Sequence, residues 1–388
     1  VVPITHELPF VKSRAKRISQ RQPVASNLKR DKRSSPSAPP LGDVASLSAL
    51  DAIHRGNAMR LPRRKFLHLA AGATALPALT RLAWAQSYPT RPVSIIVPFP
   101  PGGGTDFAAR VVGEHMSRTL GQRFVIENFS GAGGTTGSIR AMRASPDGYT
   151  IEMGHIGTHA IAVWFYPNLA YKPDVDFEPI GLAMESPLVI AARKDFPAAN
   201  LKEFVAYAKA NPEKLNMGHG GVGAILFSFG LLLNSIMGVK PTLVPFSGGG
   251  PVTTALLGGQ IDYACAGITD VSPHVRAGTL KAYAIAAEER NATLPDVPTT
   301  KEAGLPEFTA LPWFGLFAPK GTPRPILDTL SEALDRALDD QDVRKRFSDV
   351  GGDVPDKARR GPQALATLVK DEIARWAPII KAAGLKRS

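Results

Sequence analysis

Cysteine is almost absent from this chain: Cys265 is the only one in 388 residues. A lone thiol excludes a disulfide within the chain and any metal centre built on paired cysteines. Long hydrophobic runs are missing as well. The two longest apolar stretches, residues 66–79 and 225–237, are about fourteen and thirteen residues long, short of the ~20 that cross a bilayer as a helix. Several catalytic and nucleotide signatures are also lacking. No Lys-Ser or Lys-Thr follows the glycines at 102–104, so there is no Walker phosphate loop. No serine sits in a G-x-S-x-G elbow. His155 and His159 are four residues apart, but no acid accompanies them at HExxH spacing, so no metal site is read there.

Excess positive charge is present but confined. The formal net charge is +12, and residues 1–85 hold 15 of the 46 Lys and Arg but only 4 of the 34 Asp and Glu. The other 31 basic and 30 acidic residues leave the body nearly neutral, which argues against a nucleic-acid partner. Residues 1–58 are polar, basic and rich in Pro and Ser, and read as disordered or as an upstream extension. Met59 then opens a segment that makes sense alone. Arg60, Arg63, Arg64 and Lys65 precede an apolar stretch, and Ala83 and Ala85 form an A-x-A site. This is the pattern of an export signal over 59–85, twin-arginine-like, with Met59 as the expected start and cleavage near Ala85.

What the chain has in quantity is glycine, 36 residues, gathered in turns. The stretch 93–110, VSIIVPFPPGGGTDFAAR, predicts a buried strand over 93–97, a turn through the prolines and glycines, and then a helix. Thr105 or Asp106 is the expected cap, with Phe107, Val111 and Val112 on the apolar face. Bare N–H groups at a helix N-terminus suit an anion. Asp106 would repel a phosphate, so a carboxylate accompanied by a hydroxyl, amine or water fits better. A tight turn without a ligand is the alternative reading of this stretch alone.

The unit repeats. QRFVIEN (122–128) is a second strand, GAGGTTG (131–137) a second glycine turn, and a helix follows to about Pro146, before a third strand over 149–153. Gly131, Gly133 and Gly137 do not match the dinucleotide spacing, and no acid ends a strand about twenty residues on. Such units predict a parallel sheet with ligands at the strands' carboxyl ends. PLVIAA (187–192) marks the crossing into a second domain. There HGGVGA (219–224) and SGGG (247–250) are further glycine turns, and the helix 225–237 is apolar nearly all round, so it must be buried or packed at an interface. LPWFGLFA (311–318) returns the chain to the first domain, and two helices close it, at 325–338 and 362–383.

PFPPGGGTD, ENFSGAGGTTG, SPDGYT, VPFSGGGPVTTALLGGQID, DVPTTKEAGLPEF and WFGLFAPKGTP occur in that order. Over residues 88–385 the chain resembles the TctC/Bug-type substrate-binding proteins of the tripartite tricarboxylate transporter family. The resemblance implies an α/β, two-lobed periplasmic binding protein of the Venus-flytrap kind (type II-like), with lobe 1 from 86–188 and 312–388 and lobe 2 from 189–311. It implies a ligand carboxylate held at Phe99, Gly102, Gly103, Gly104 and Asp106, then at Ala132, Gly133 and Thr136. From the second lobe it implies Gly221, Gly223 and Ala224, then Phe246, Ser247 and Gly248. Thr158 and His159 match a family T-H pair near the cleft, and Asp270 is a weaker candidate on the hinge side. One departure stands out. Relatives carry Ser and then His in the helix after the third glycine turn, where this chain has Gly223-Ala224-Ile225-Leu226-Phe227. A less polar wall predicts a ligand whose far end is less polar than a tricarboxylate.

The function implied is an extracytoplasmic receptor that delivers a small organic acid to a membrane transporter, without catalysis, cofactor or metal, and as a monomer. A sensor for a membrane signalling partner would use the same body. A nucleotide-dependent oxidoreductase on a Rossmann-like sheet is the competing enzyme reading. On this view Asp106→Ala should alter ligand preference more than stability.

Overall fold

The computed structural model describes residues 88–211 and 213–382. The extension 1–58, the export signal with its start at Met59, and the cleavage point at Ala85 lie outside the described residues. Two five-stranded sheets form the cores of two lobes. The first begins with β1 (Val93–Val97), α1 (Gly104–Leu120), β2 (Phe124–Asn128), α2 (Thr135–Met142) and β3 (Thr150–His155). A π-helical turn (Gly157–Ile161), the short α3 (Ala162–Phe165) and β4 (Phe177–Glu185) follow. The second sheet is built from β5 (Leu188–Arg193), α4 (Leu201–Ala210), β6 (Asn216–His219), α5 (Ile225–Met237) and β7 (Thr242–Pro245). It continues through α6 (Gly249–Leu257), β8 (Tyr263–Gly267), α7 (Ile268–Arg276) and β9 (Leu280–Ile285). The chain then returns as β10 (Trp313–Pro319), and α8 (Arg324–Asp339), α9 (Gln341–Ser348) and α10 (Gly361–Ala382) end the described fold.

Strand order is β2-β1-β3-β10-β4 in one sheet and β7-β6-β8-β5-β9 in the other. Each has three parallel strands, flanked by one that runs antiparallel to its neighbours: β10 in the first sheet, β5 in the second. The sheets are therefore mixed, not purely parallel as the repeated units predict. The reason is topological: β5 and β10 enter their sheets from the other lobe, not through a helical crossover. Both are apolar runs covered on both faces, as inner strands are: every residue of β10 is buried, and so are all of β5 but Arg193. The two crossings also pair with each other, since the N–H of Ser186 donates to Pro312 O at 3.0 Å and that of Leu188 to Ala310 O at 3.1 Å.

α5 packs on β6 and β8 of its own lobe and reaches into the other. Phe227 sits edge-on to Phe165 of α3, and Phe229 edge-on to Trp376 of α10. That double burial accounts for a helix with almost no polar face. No helix among the described residues is long and apolar enough to cross a membrane.

Candidate functional site

Four helices begin at one place between the lobes. Gly103, Ala224, Gly248 and Gly267 are the N-cap residues of α1, α5, α6 and α7, and none has a side-chain cap. All four line a single cavity of about 50 Å3. At ~10–15 Å3 per water on such a measure, this closed form has room for a few waters or a small acid, not for a nucleotide. Where α4 and α9 begin, away from the cavity, Asn200 and Asp340 supply caps. α2 and α8 start uncapped elsewhere, so convergence is what marks this site. Each helix start brings N–H groups outside the helix's own ladder and the positive end of its dipole, although the N–H of Ile268 is taken by Pro187 O and that of Gly104 by Asp270. The expected cap at Thr105 or Asp106 is not formed: both lie inside the first turn of α1, behind Gly103.

The remaining wall is largely apolar. Phe99, Leu188, Ala224, Ile225, Leu226 and Phe314 contribute to it, with Thr105, His155, Ser186, Thr269 and Asp270 as the polar side chains. His155 ends β3 with its ring stacked on Phe99, centroids 4.7 Å apart. Its Nδ1 accepts the N–H groups of Gly157 (2.9 Å) and Thr158 (3.2 Å), which puts the proton on Nε2. Burial holds this imidazole neutral, its pKa lowered to about 3. Ser186 is 2% exposed, and its Oγ has no partner within the protein.

The structure brings Phe99, Gly103, Gly104, Ala224 and Gly248 of the expected site residues onto the cavity wall. Others gather at a clasp between the lobes beside it. Tyr166 Oη lies 2.8 Å from Ala132 O and 2.8 Å from Val222 O, one from each lobe. A methyl group on Gly133 (φ +63) would strike Val222 O, and one on Gly221 would come 3.0 Å from Gly133. Gly223 abuts the Tyr166 ring in the same way. Phe246 and Ser247 belong to the turn that leads into α6, but neither lines the cavity, and Thr136 is exposed on α2.

Asp106 turns away from the cavity to brace the glycine turn. Its carboxylate accepts from Arg110 Nε (2.8 Å) and Nη2 (2.9 Å), Asn128 Nδ2 (2.9 Å) and the N–H of Gly102 (3.1 Å). Burial alone would raise its pKa, but Arg110, Asn128 and Gly102 together bring it below the ordinary value. Thr158 and His159 are fully buried in the first lobe. Thr158 Oγ1 lies 3.2 Å from His155 O, and His159 stacks on Phe317 at 3.9 Å. In the sequence His155 stands out only as a rejected metal ligand, whereas its position at the end of a parallel strand is the usable signal. Ser186 carried no signal at all, because its place depends on the pairing of two distant crossings.

Two mixed α/β lobes, joined by paired crossings and closed over an anion-friendly cavity, define a bilobal solute-binding protein. The comparisons agree: residues 108–385 match the model of the tripartite tricarboxylate transporter family receptor, TctC, and the chain belongs to that family. It is 42% identical over 333 residues to a UPF0065 protein from the TAR-I ttuE-ttuC' intergenic region of Agrobacterium vitis, covering 83% of this chain and 95% of that one. Among solved structures it is similar to MatC from Rhodopseudomonas palustris with bound malate, at 49% identity and TM-score 0.74, over 76% of this chain and 100% of MatC. It is also similar to the periplasmic binding protein BugD, at 40% identity and TM-score 0.75, over 78% of this chain and 100% of BugD.

Proposed function

We propose that this protein is a periplasmic receptor that captures a small organic acid between its lobes and delivers it to the membrane subunits of a tripartite tricarboxylate-type transporter. The observation that carries this reading is the meeting of four uncapped helix N-termini on a cavity without lysine or arginine. Backbone N–H groups would grip a carboxylate there, and enclosure strengthens such charge-assisted bonds. The malate held by MatC, an acid of fitting size, supports the same class of ligand here. The protein acts as a monomer and binds without chemical change. Residues 86–188 with 312–388 and residues 189–311 move as the two lobes. The paired crossings at Ser186 and Pro312 serve as the hinge, and the transporter reads the closed form.

Mass spectrometry of the small molecule that co-purifies with the exported protein tests this. A stoichiometric organic acid is expected. A sugar, a peptide or a nucleotide in its place would contradict it.

A further inference from the structure

Asp270 is the one charged side chain on the cavity wall. It stands in the first turn of α7, wedged between the starts of α1 and α6. A methyl group on Gly249 would collide with its carboxylate, and one on Gly104 would lie 3.8 Å from Oδ1. Thr269 Oγ1 donates to Oδ1 at 3.3 Å. Neither lysine nor arginine lines the cavity to neutralise it, and His155 is held uncharged. Ser186 lines the same space with its buried Oγ unpaired. An acid captured at the N–H groups of α1 and α6 therefore meets a carboxylate beside its own. Two such groups repel unless a proton or a donor lies between them.

We propose that Asp270 selects acids that carry a hydrogen-bond donor, hydroxyl or ammonium, on a carbon next to the captured carboxylate. The inference rests on the carboxylate reading above and names the class within it. The donor on the ligand fills the lone pairs that Thr269 and the Gly104 amide leave free, and Ser186 Oγ bonds the same end of the molecule. An acid without a donor must either face a like charge in an enclosed space or bind only the protonated form of Asp270, so the site disfavours it. Burial pushes the Asp270 carboxyl up to about 7, against the pull of Thr269 and the Gly104 amide, and a donor on the ligand favours its charged form.

Calorimetric titration of the exported protein with malate, aspartate and succinate tests this, with adipate and benzoate as acids that lack a neighbouring donor. Malate or aspartate should bind about tenfold or more tighter than succinate, the range of one hydrogen bond to a charged group. In Asp270→Asn the gap should shrink to about threefold, chiefly because succinate gains once the like charge is removed. Ser186→Ala should weaken malate by roughly threefold and leave succinate unchanged. Equal binding of succinate and malate by the unaltered protein would overturn the proposal, and that arm requires no variant to fold. An equal loss for every acid in Asp270→Asn would also overturn it, leaving Asp270 as a contact between lobes. Binding of adipate or benzoate without malate or aspartate sinks donor selection but keeps the carboxylate reading. Silence toward all five acids sinks both.

Discussion

Asp106 and Glu152 show how differently two buried acids of one lobe behave. Asp106 is ringed by donors, so Asp106→Ala takes the acceptor from Arg110 and the Gly102 amide and one of two from Asn128 Nδ2, which keeps Phe99 O. The expected cost is about 1–3 kcal/mol of folding stability, since the half-exposed Arg110 is screened by water, read from urea unfolding. This reverses the balance expected from sequence, and a variant with full stability but altered ligand preference would restore it. Glu152 has one partner, Ser138 Oγ at 2.6 Å, while its other oxygen stands 3.9 Å from His159 Nε2. Desolvation pushes its pKa up from 4.5 to about 8, against the pull of Ser138. Between those values the unfolded chain binds fewer protons than the native one, so stability falls as pH rises. The lowered pKa of His155 acts in the opposite sense, but only below 6.5. From pH 7 to 8, largely above the range in which the raised Asp270 contributes in the same sense, the decline should reach at most about 1.4 kcal/mol per pH unit, and Glu152→Gln should lessen it. Denaturation midpoints with the same slope in both proteins would show that Glu152 is not its source.

Among the elements, the glycine turns divide the labour. The turns before α1 and α6 shape the cavity, whereas GAGGTTG meets the turn before α5 at the Tyr166 clasp. Tyr166→Phe should leave folding intact yet weaken ligand binding about fivefold, through loss of roughly 1 kcal/mol from the closed form. Unchanged affinity in that variant would remove the clasp from the account. The turns and their strands were legible in the sequence because proline, glycine and β-branched residues mark them locally. β4 was not, since Pro179 breaks its pattern; the strand tolerates proline only because it lies at the sheet edge. α7 was hidden in the same way by Pro273. Asp270 was a weaker candidate because its partners, Gly104 and Gly249, lie far from it along the chain. The side chains of Thr158 and His159 face the core, an orientation that no local pattern fixes.

At the scale of the whole molecule, one side of the hinge is tied and the other free to part. Asn291 Nδ2 donates to Gly351 O (3.1 Å), Thr293 Oγ1 to Ser348 O (2.6 Å) and Ser272 Oγ to Val350 O (3.1 Å). These bonds hold the second lobe to the end of α9 and the turn after it, while the facing turns meet at Tyr166 and where Gly248 and Gly250 abut Pro100 and Gly102. Opening should therefore swing about the crossings and separate the clasp. Small-angle scattering should show a smaller radius of gyration with a bound acid than without, and identical curves would argue against closure. Throughout, main-chain N–H groups with no cationic side chain beside them are what would hold a carboxylate. Calorimetry with malate and with its neutral diamide tests this most directly. Malate should bind, and the diamide should lose at least about a hundredfold, the worth of two charge-assisted hydrogen bonds. Equal affinity for the two would contradict it.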